Sequence, residues 1–394
     1  GGSVMKIRNF LLLTLLVTLF LGCAGREPTP GVTDTEILIG NIQDLSGPMK
    51  ELGMALPHGS NLYFNYINGK GGIHGRKIKM IIEDHQYNPQ KAVAAAKKLV
   101  EQNQVFCFYQ VIGTSPCEAL RPTLEEYEIP LIAPATQSGT MSDRSRRGWK
   151  YIFHTDTGYD KQANILVDYA YEQNGDAKVG VIYQDDDYGA NVLKGIAEAE
   201  ERHGITVQKE AYQRGATDFA GQVMNLLKGG TTHVIIGGVV REPIIVMKTA
   251  AAMSYAPQFL GISPTMDHRV ALGAGKEGEG FIVANFAQLY NSDAEGAKLY
   301  RELFENSGTD PKVMGMYNFY GFMTAMVLVE GLERAGKRLT RARLIRAMEG
   351  FKNWDGMGVF PGISYGPSDR AGTESVVLVA NRGGTQQIIS DWIE

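Results

Sequence analysis

The chain has 394 residues, 44% of them hydrophobic and 21% charged, with a net charge of −4 at pH 7. That composition is ordinary for a folded globular protein and excludes a disordered, collagen-like or disulfide-dense chain. The slightly acidic balance carries no basic stripe, so nucleic acid is not an expected partner.

Gly1 to Val4 read as an added extension, and the chain proper reads from Met5. Lys6 and Arg8 precede an apolar run, residues 10–21, which ends at Gly22-Cys23. The run is too short to span a bilayer, and charge, length and small residue together describe a secretory leader over residues 5–23. A cysteine directly after the cut resembles the lipobox of bacterial lipoproteins, although Phe20 stands where leucine is usual. The resemblance implies an acylated N-terminus at Cys23, a lipid anchor in the membrane and a site of action outside the cytoplasm. Residues 24–34, with Pro28 and Pro30, read as a linker.

Roughly 360 residues follow, enough for two domains. Residues 36–43 (EILIGNIQ) form the first expected strand, and a helix through Leu62, Tyr66 and Ile67 stops at Asn68-Gly69. Residues 77–84 (KIKMIIED) alternate lysine with apolar side chains, as an edge strand does. Asn88-Pro89 supply a cap and a first-turn proline for a helix whose buried stripe is Val93, Ala96 and Val100. Strands at 105–113 and 129–133 flank a helix at 117–127. Strand alternating with helix predicts a parallel sheet with helices on both faces.

The order then restarts. Strands are expected at 178–184, 206–212, 233–239, 258–262 and 281–286. The helices between them run over 190–203, from Asp218 through Leu227, and over 243–253. Gly204 and Gly229-Gly230 read as C-caps. Helices at 294–306, 316–335 and 340–350 follow, and the end of the chain, with 374–380 and 385–389, reads as strands. The apolar stretch 319–332 is broken by Gly321, Thr324 and Glu330 and reads as a core helix, not a membrane span. Cys107 lies early in the 105–113 strand and Cys117 beyond its far end, too far apart for a disulfide at ~3.3 Å per residue, so both are expected as buried thiols.

The motifs exclude more than they assign. The glycines of NGKGGIHGRK (68–77) follow a helix and precede a strand, the reverse of a phosphate loop. Asp185, Asp186 and Asp187 sit between a strand and a helix, where carboxylates cap free N–H groups, and bring no spaced set of metal ligands. The seven histidines form no zinc pattern, and there is no G-x-S-x-G elbow. No metal, cofactor or enzyme activity is therefore expected. The positive signal lies in the loops after the strands, where parallel sheets bind ligands: 113–117, 133–136, 185–189, 237–241 and 261–265. In the first two, small residues would let N–H groups and the hydroxyls of Ser115 and Thr136 approach a carboxylate.

In order and spacing, several stretches together resemble the type I periplasmic solute-binding proteins, specifically the leucine/isoleucine/valine-binding family of ABC importers. They include Leu45-Ser46-Gly47-Pro48, NGKGGIHGRKIK, EDHQYNPQKAVAAAKKLV, Gly113-Thr114 through IPLIAPAT, VIYQDDDYGANVLKG, Ile236-Gly237-Gly238 and FPGISYGPSDRAG. The resemblance implies an α/β fold of two Rossmann-like lobes with parallel sheets, joined by three crossovers around a cleft that closes on one solute. The lobes would be 35–155 with 290–360, and 156–289 with 361–394. It implies Ala135 and Thr136 at a carboxylate site, joined by Ser115 or Cys117, and Tyr188 facing the ligand. The acid that holds an amino acid's ammonium falls near Ser263-Pro264, where GISPT has none, and two aromatic positions fall on Leu52 and on Val239-Val240. Arg241 follows directly.

The expected function is that of a lipid-anchored, monomeric solute receptor handing a small carboxylate-bearing ligand, an aromatic or branched organic acid, to the membrane permease of an ABC importer. The rival readings are an amino acid receptor using another acid such as Glu242, a ligand-sensing subunit of a membrane signalling system, and a secreted two-domain enzyme.

Overall fold

The computed structural model describes residues 29–394, and Cys23 with the apolar run before it lies outside the described residues. The first lobe is built from β1 (Glu36–Gln43), α1 (Lys50–Gly69), β2 (Lys77–Asp84), α2 (Pro89–Glu101), β3 (Phe108–Tyr109), α3 (Thr114–Glu126), β4 (Leu131–Ile132) and β5 (Ile152–Phe153). Its sheet runs β2-β1-β3-β4-β5, all parallel. The lysine-studded β2 is an edge strand. Asn88 caps α2 as its position implies, accepting from the Lys91 N–H at 3.0 Å.

The second lobe contains α4 (Tyr159–Gln173), β6 (Val179–Gln184), α5 (Asp187–His203), β7 (Gln208–Tyr212), α6 (Ala220–Gly229), β8 (His233–Gly237), α7 (Arg241–Ala252), β9 (Gln258–Gly261), α8 (His268–Ala274) and β10 (Ile282–Asn285). The chain then returns to the first lobe through α9 (Glu295–Asn306), α10 (Met316–Ala335) and α11 (Arg341–Glu349). It finishes on the second sheet with β11 (Val377–Arg382) and β12 (Thr385–Ile388), giving the order β12-β11-β10-β9-β8-β6-β7. Only β11 and β12 run antiparallel to their neighbours. The chain therefore passes between the lobes three times, near 154–158, 286–294 and 361–376. The first and third passages are bonded together, His154 N–H to Arg370 O at 3.0 Å and Gly372 N–H to His154 O at 2.7 Å.

α10 is buried on nearly every face and packs against α1. Two glycines permit that closeness. A Cβ on Gly59 would stand 1.7 Å from the Asn318 carbonyl oxygen, and one on Gly321 would stand 2.0 Å from that of Leu56.

The central strands of the first lobe are shorter than the expected 105–113 and 129–133. The reason is local backbone geometry. Gln110 and Ala133 take φ of +52° and +49°, the left-handed region, and so turn their carbonyls out of the ladder. The extended run survives beyond the kink, since Ile112 N–H still reaches Ile42 O at 3.1 Å. α3 also begins three residues earlier than expected, at Thr114. Cys107 and Cys117 are free and fully buried.

Candidate functional site

The carboxyl ends of both sheets point into one cleft between the lobes, the place where parallel sheets expose their loops and helix starts. The cleft encloses about 690 Å3 of empty space, its mouth included. The first lobe contributes Gly113 and Thr114 from the start of α3, Ala135 and Gln137 from the loop after β4, and Met49, Leu52 and Tyr87. The second contributes Gln184 from the end of β6, Tyr188 from α5, Val239 after β8, Ser263 and Pro264 after β9, and Asn285 and Phe286 at the end of β10. Tyr317 and Tyr320 of α10 close one side. No ionisable acid or base other than tyrosine lines it.

At the first-lobe end, Gly113 caps α3 with φ +96° and no side chain of its own. A Cβ there would press to 2.8 Å from the Tyr87 ring, so glycine is required on both counts. Among the described residues the Ser115 N–H has no hydrogen-bond partner, the Thr114 N–H faces the Tyr87 hydroxyl, and Pro116 has no N–H to offer. Free N–H groups at the positive end of a helix form an anion site. Thr114 Oγ1 lies 2.8 Å from Thr136 Oγ1, and His154 Nε2–H donates to Thr136 O at 2.9 Å. Burial drives the His154 pKa down to about 4, so the ring is neutral and holds the Thr136 loop without adding charge.

The acids nearest the cleft are all engaged elsewhere. Asp186 caps α5 through the Tyr188 and Gly189 N–H groups and pairs with Arg214. Glu242 accepts from the Val239 N–H at 2.9 Å, and Asp267 binds Arg269 at 2.7 Å. Asp156 lies behind Gln137 and Tyr320, which both donate to it. Burial raises its pKa to about 7, and the two hydrogen bonds pull it partly back. The Asp185 to Asp187 run thus caps a helix. Among the described residues no cluster of His, Cys, Asp or Glu is arranged to hold a metal ion.

Ala135, Tyr188 and Ser263, from the residues expected at the site, line the cleft together. Tyr188 Oη donates to Gly238 O at 3.1 Å, and the Ser263 N–H to Gln162 Oε1 at 2.8 Å. Thr136 stands one layer back, behind Thr114. Cys117 corrects the expectation: its thiol points into the first-lobe core and donates to Val111 O at 3.3 Å, because α3 starts at Thr114 and turns that side chain inward. Ser115 offers its N–H and not its half-buried side chain. Val240 and Arg241 line a groove with Lys50, Glu51 and Glu242 that adjoins the cleft and shares Met49, Leu52, Val239 and Tyr317 with it. Four contributors went unread in the sequence: Thr114, Gln137, Gln184 and Asn285. Thr114 and Gln184 carried a usable signal, being the residue after a strand-end glycine and the last residue of a strand.

The lobes touch across the cleft. Tyr317 Oη donates to Pro264 O at 2.8 Å, Arg269 pairs with Glu51 at 2.7 Å, and Arg214 stacks on Tyr87 at 3.8 Å. Two α/β lobes closed over an uncharged pocket define a two-lobed solute receptor. The sequence matches the family model described as periplasmic binding protein over residues 36–385. The chain belongs to that family, whose members bind solutes outside the cytoplasm and are not enzymes. It is 25% identical to the leucine-, isoleucine-, valine-, threonine- and alanine-binding protein of Pseudomonas aeruginosa, covering 74% of this chain and 77% of that one. It is 24% identical to the Leu/Ile/Val-binding protein of Escherichia coli K12, covering 89% and 95%. Among solved structures, a fatty acid ABC transporter substrate-binding protein from Thermomonospora curvata superposes with a TM-score of 0.84 at 25% identity, covering 94% and 95%. A branched chain amino acid ABC transporter protein from Thermus thermophilus with bound valine gives 0.85 at 20%, covering 92% and 97%.

Proposed function

We propose that this substrate-binding protein of an ABC transporter takes a small organic acid with an apolar or aromatic body and no α-ammonium. The observation that carries the reading is the lining: the Thr114 hydroxyl at the start of α3 at one end, and no acidic side chain anywhere. A carboxylate gains charge-assisted hydrogen bonds worth about 1.5–3 kcal/mol each at the start of α3. An ammonium would be buried without a counter-charge, at a cost of several kcal/mol. Met49, Leu52, Ile112, Met266, Phe286 and Met316 supply the apolar wall. A relative named for fatty acids shows that this architecture serves ligands other than amino acids.

The curated relatives named for amino acids support a second reading, an amino acid receptor in which Glu242 leaves the Val239 N–H and turns inward. A thermal-shift screen separates the two. Phenylacetate, hexanoate and similar acids should raise the melting temperature by several degrees at saturating concentration, and leucine, valine and phenylalanine should not. The reverse ranking favours the amino acid receptor. On this account the loaded receptor docks on a membrane permease, and Cys23 anchors it to the membrane through acyl chains. Cys23→Ser should then move the protein from the membrane to the soluble fraction, and unchanged partitioning would refute the anchor.

A further inference from the structure

We infer that the second-lobe wall of the cleft is an acceptor face, and that the bound acid carries a hydrogen-bond donor, a hydroxyl or amide N–H, at the end remote from its carboxylate. The inference rests on the acid reading above and specifies the other end of the ligand.

Gln184 and Asn285 both line the cleft at strand ends of the second sheet. Gln184 Nε2 donates to Asp186 Oδ2 at 2.6 Å, and Asn285 Nδ2 donates to Ala287 O at 2.6 Å. Chemistry, not convention, dictates both orientations. A backbone carbonyl only accepts, and a carboxylate paired with Arg214 only accepts, so each amide must turn its nitrogen toward it. Each carbonyl oxygen is thereby left over. Among the described residues neither Gln184 Oε1 nor Asn285 Oδ1 receives a hydrogen bond.

Ser263 adds an independent observation on the same wall. It is only 6% exposed, lines the cleft, and its Oγ has no partner. Buried polar groups are almost always paired, so an unpaired set of this kind points to a ligand that completes it. The opposite end offers donors, the Thr114 hydroxyl and the Ser115 N–H. The cleft is therefore polarised, donors on the first lobe and acceptors on the second. A ligand that satisfies both ends holds the lobes together. An apolar tail meeting these two carbonyl oxygens would leave them dehydrated and unpaired, which is how sites built to bind a hydroxyl reject analogues lacking one.

Titration calorimetry with matched acids tests this. The probes are phenylacetate, para-hydroxyphenylacetate and para-methoxyphenylacetate, with hexanoate and its terminal hydroxy derivative as an aliphatic pair. In each series the hydroxy acid should bind about tenfold or more tightly than its parent, and the methoxy acid, which only accepts, should bind no better than the parent. Gln184→Met and Asn285→Leu should each shrink that preference toward unity, read as the ratio of the hydroxy and parent dissociation constants measured on the same variant. Melting temperatures near that of the wild type show that the variants fold. Equal binding of hydroxy and parent acids by the wild type overturns the inference and leaves the acid reading standing. So does a preference that survives in both variants. Binding of no acid in either series overturns the acid reading, and this inference with it.

Discussion

Thr114 lines the cleft and Thr136 holds Thr114, so on the proposed reading the carboxylate end depends on a hydroxyl pair 2.8 Å apart. Thr114→Val keeps shape and loses the donor. It should weaken acid binding about tenfold, while Thr114→Ser retains most of the affinity, both read by calorimetry. Cys117→Ala provides the contrast. It removes a buried thiol from the core behind α3, so it should cost about 1 kcal/mol of stability and leave affinity within about twofold. Asp156 links the site to pH. Burial raises its pKa from 3.8 to about 7, so between those values the folded protein holds a proton that the unfolded chain has released. Its contribution to stability is therefore present at low pH and lost as pH rises toward 7. Urea unfolding at about pH 5 and about pH 8 should show Asp156→Asn gaining roughly 3 kcal/mol on the wild type across that interval. A constant difference between the two proteins would contradict the assignment. Ala135, Tyr188 and Ser263, expected at the ligand and found lining the cleft, each follow closely on a strand end that is written in the local pattern. Gln137 carries no such mark, and Gln184 and Asn285 are marked only as strand-final residues, because an amide becomes a ligand group only when something behind it fixes which way it faces.

The α1–α10 contact is the element on which the first lobe most depends. The 319–332 segment reads as buried from its composition, yet nothing in its periodicity marks one face, because α10 is covered on nearly all of them. Gly59 and Gly321 are the local reason, since each lets the other helix's backbone approach. Gly321→Ala should force the helices apart and destabilise the protein by about 2–3 kcal/mol in chemical denaturation, more than the gain expected from replacing a mid-helix glycine. Unchanged stability would mean that the two helices pack more loosely than the structure has them. Most strand and helix positions were legible from alternation, caps and terminal glycines. The ends of β3 and β4 were not. They stop at Gln110 and Ala133, residues with no intrinsic preference for positive φ, so the kink is imposed by how neighbouring strands deliver the 113–117 and 133–136 loops to the cleft.

For the whole molecule, three passages of chain and a set of cross-cleft contacts make closure the natural response to a ligand that touches both lobes. The Glu51–Arg269 pair is half-exposed and contributes little by itself. The ligand must supply most of the free energy that holds the lobes together, which makes its chemistry the central claim. That claim is tested most directly by titration calorimetry on matched pairs, leucine, valine and phenylalanine each against the same molecule with hydrogen in place of the ammonium. The account predicts tighter binding of the deaminated acid in at least one pair and of the amino acid in none. Tighter binding of the amino acids would contradict it and require an acidic partner in the cleft, with Glu242 the residue to move.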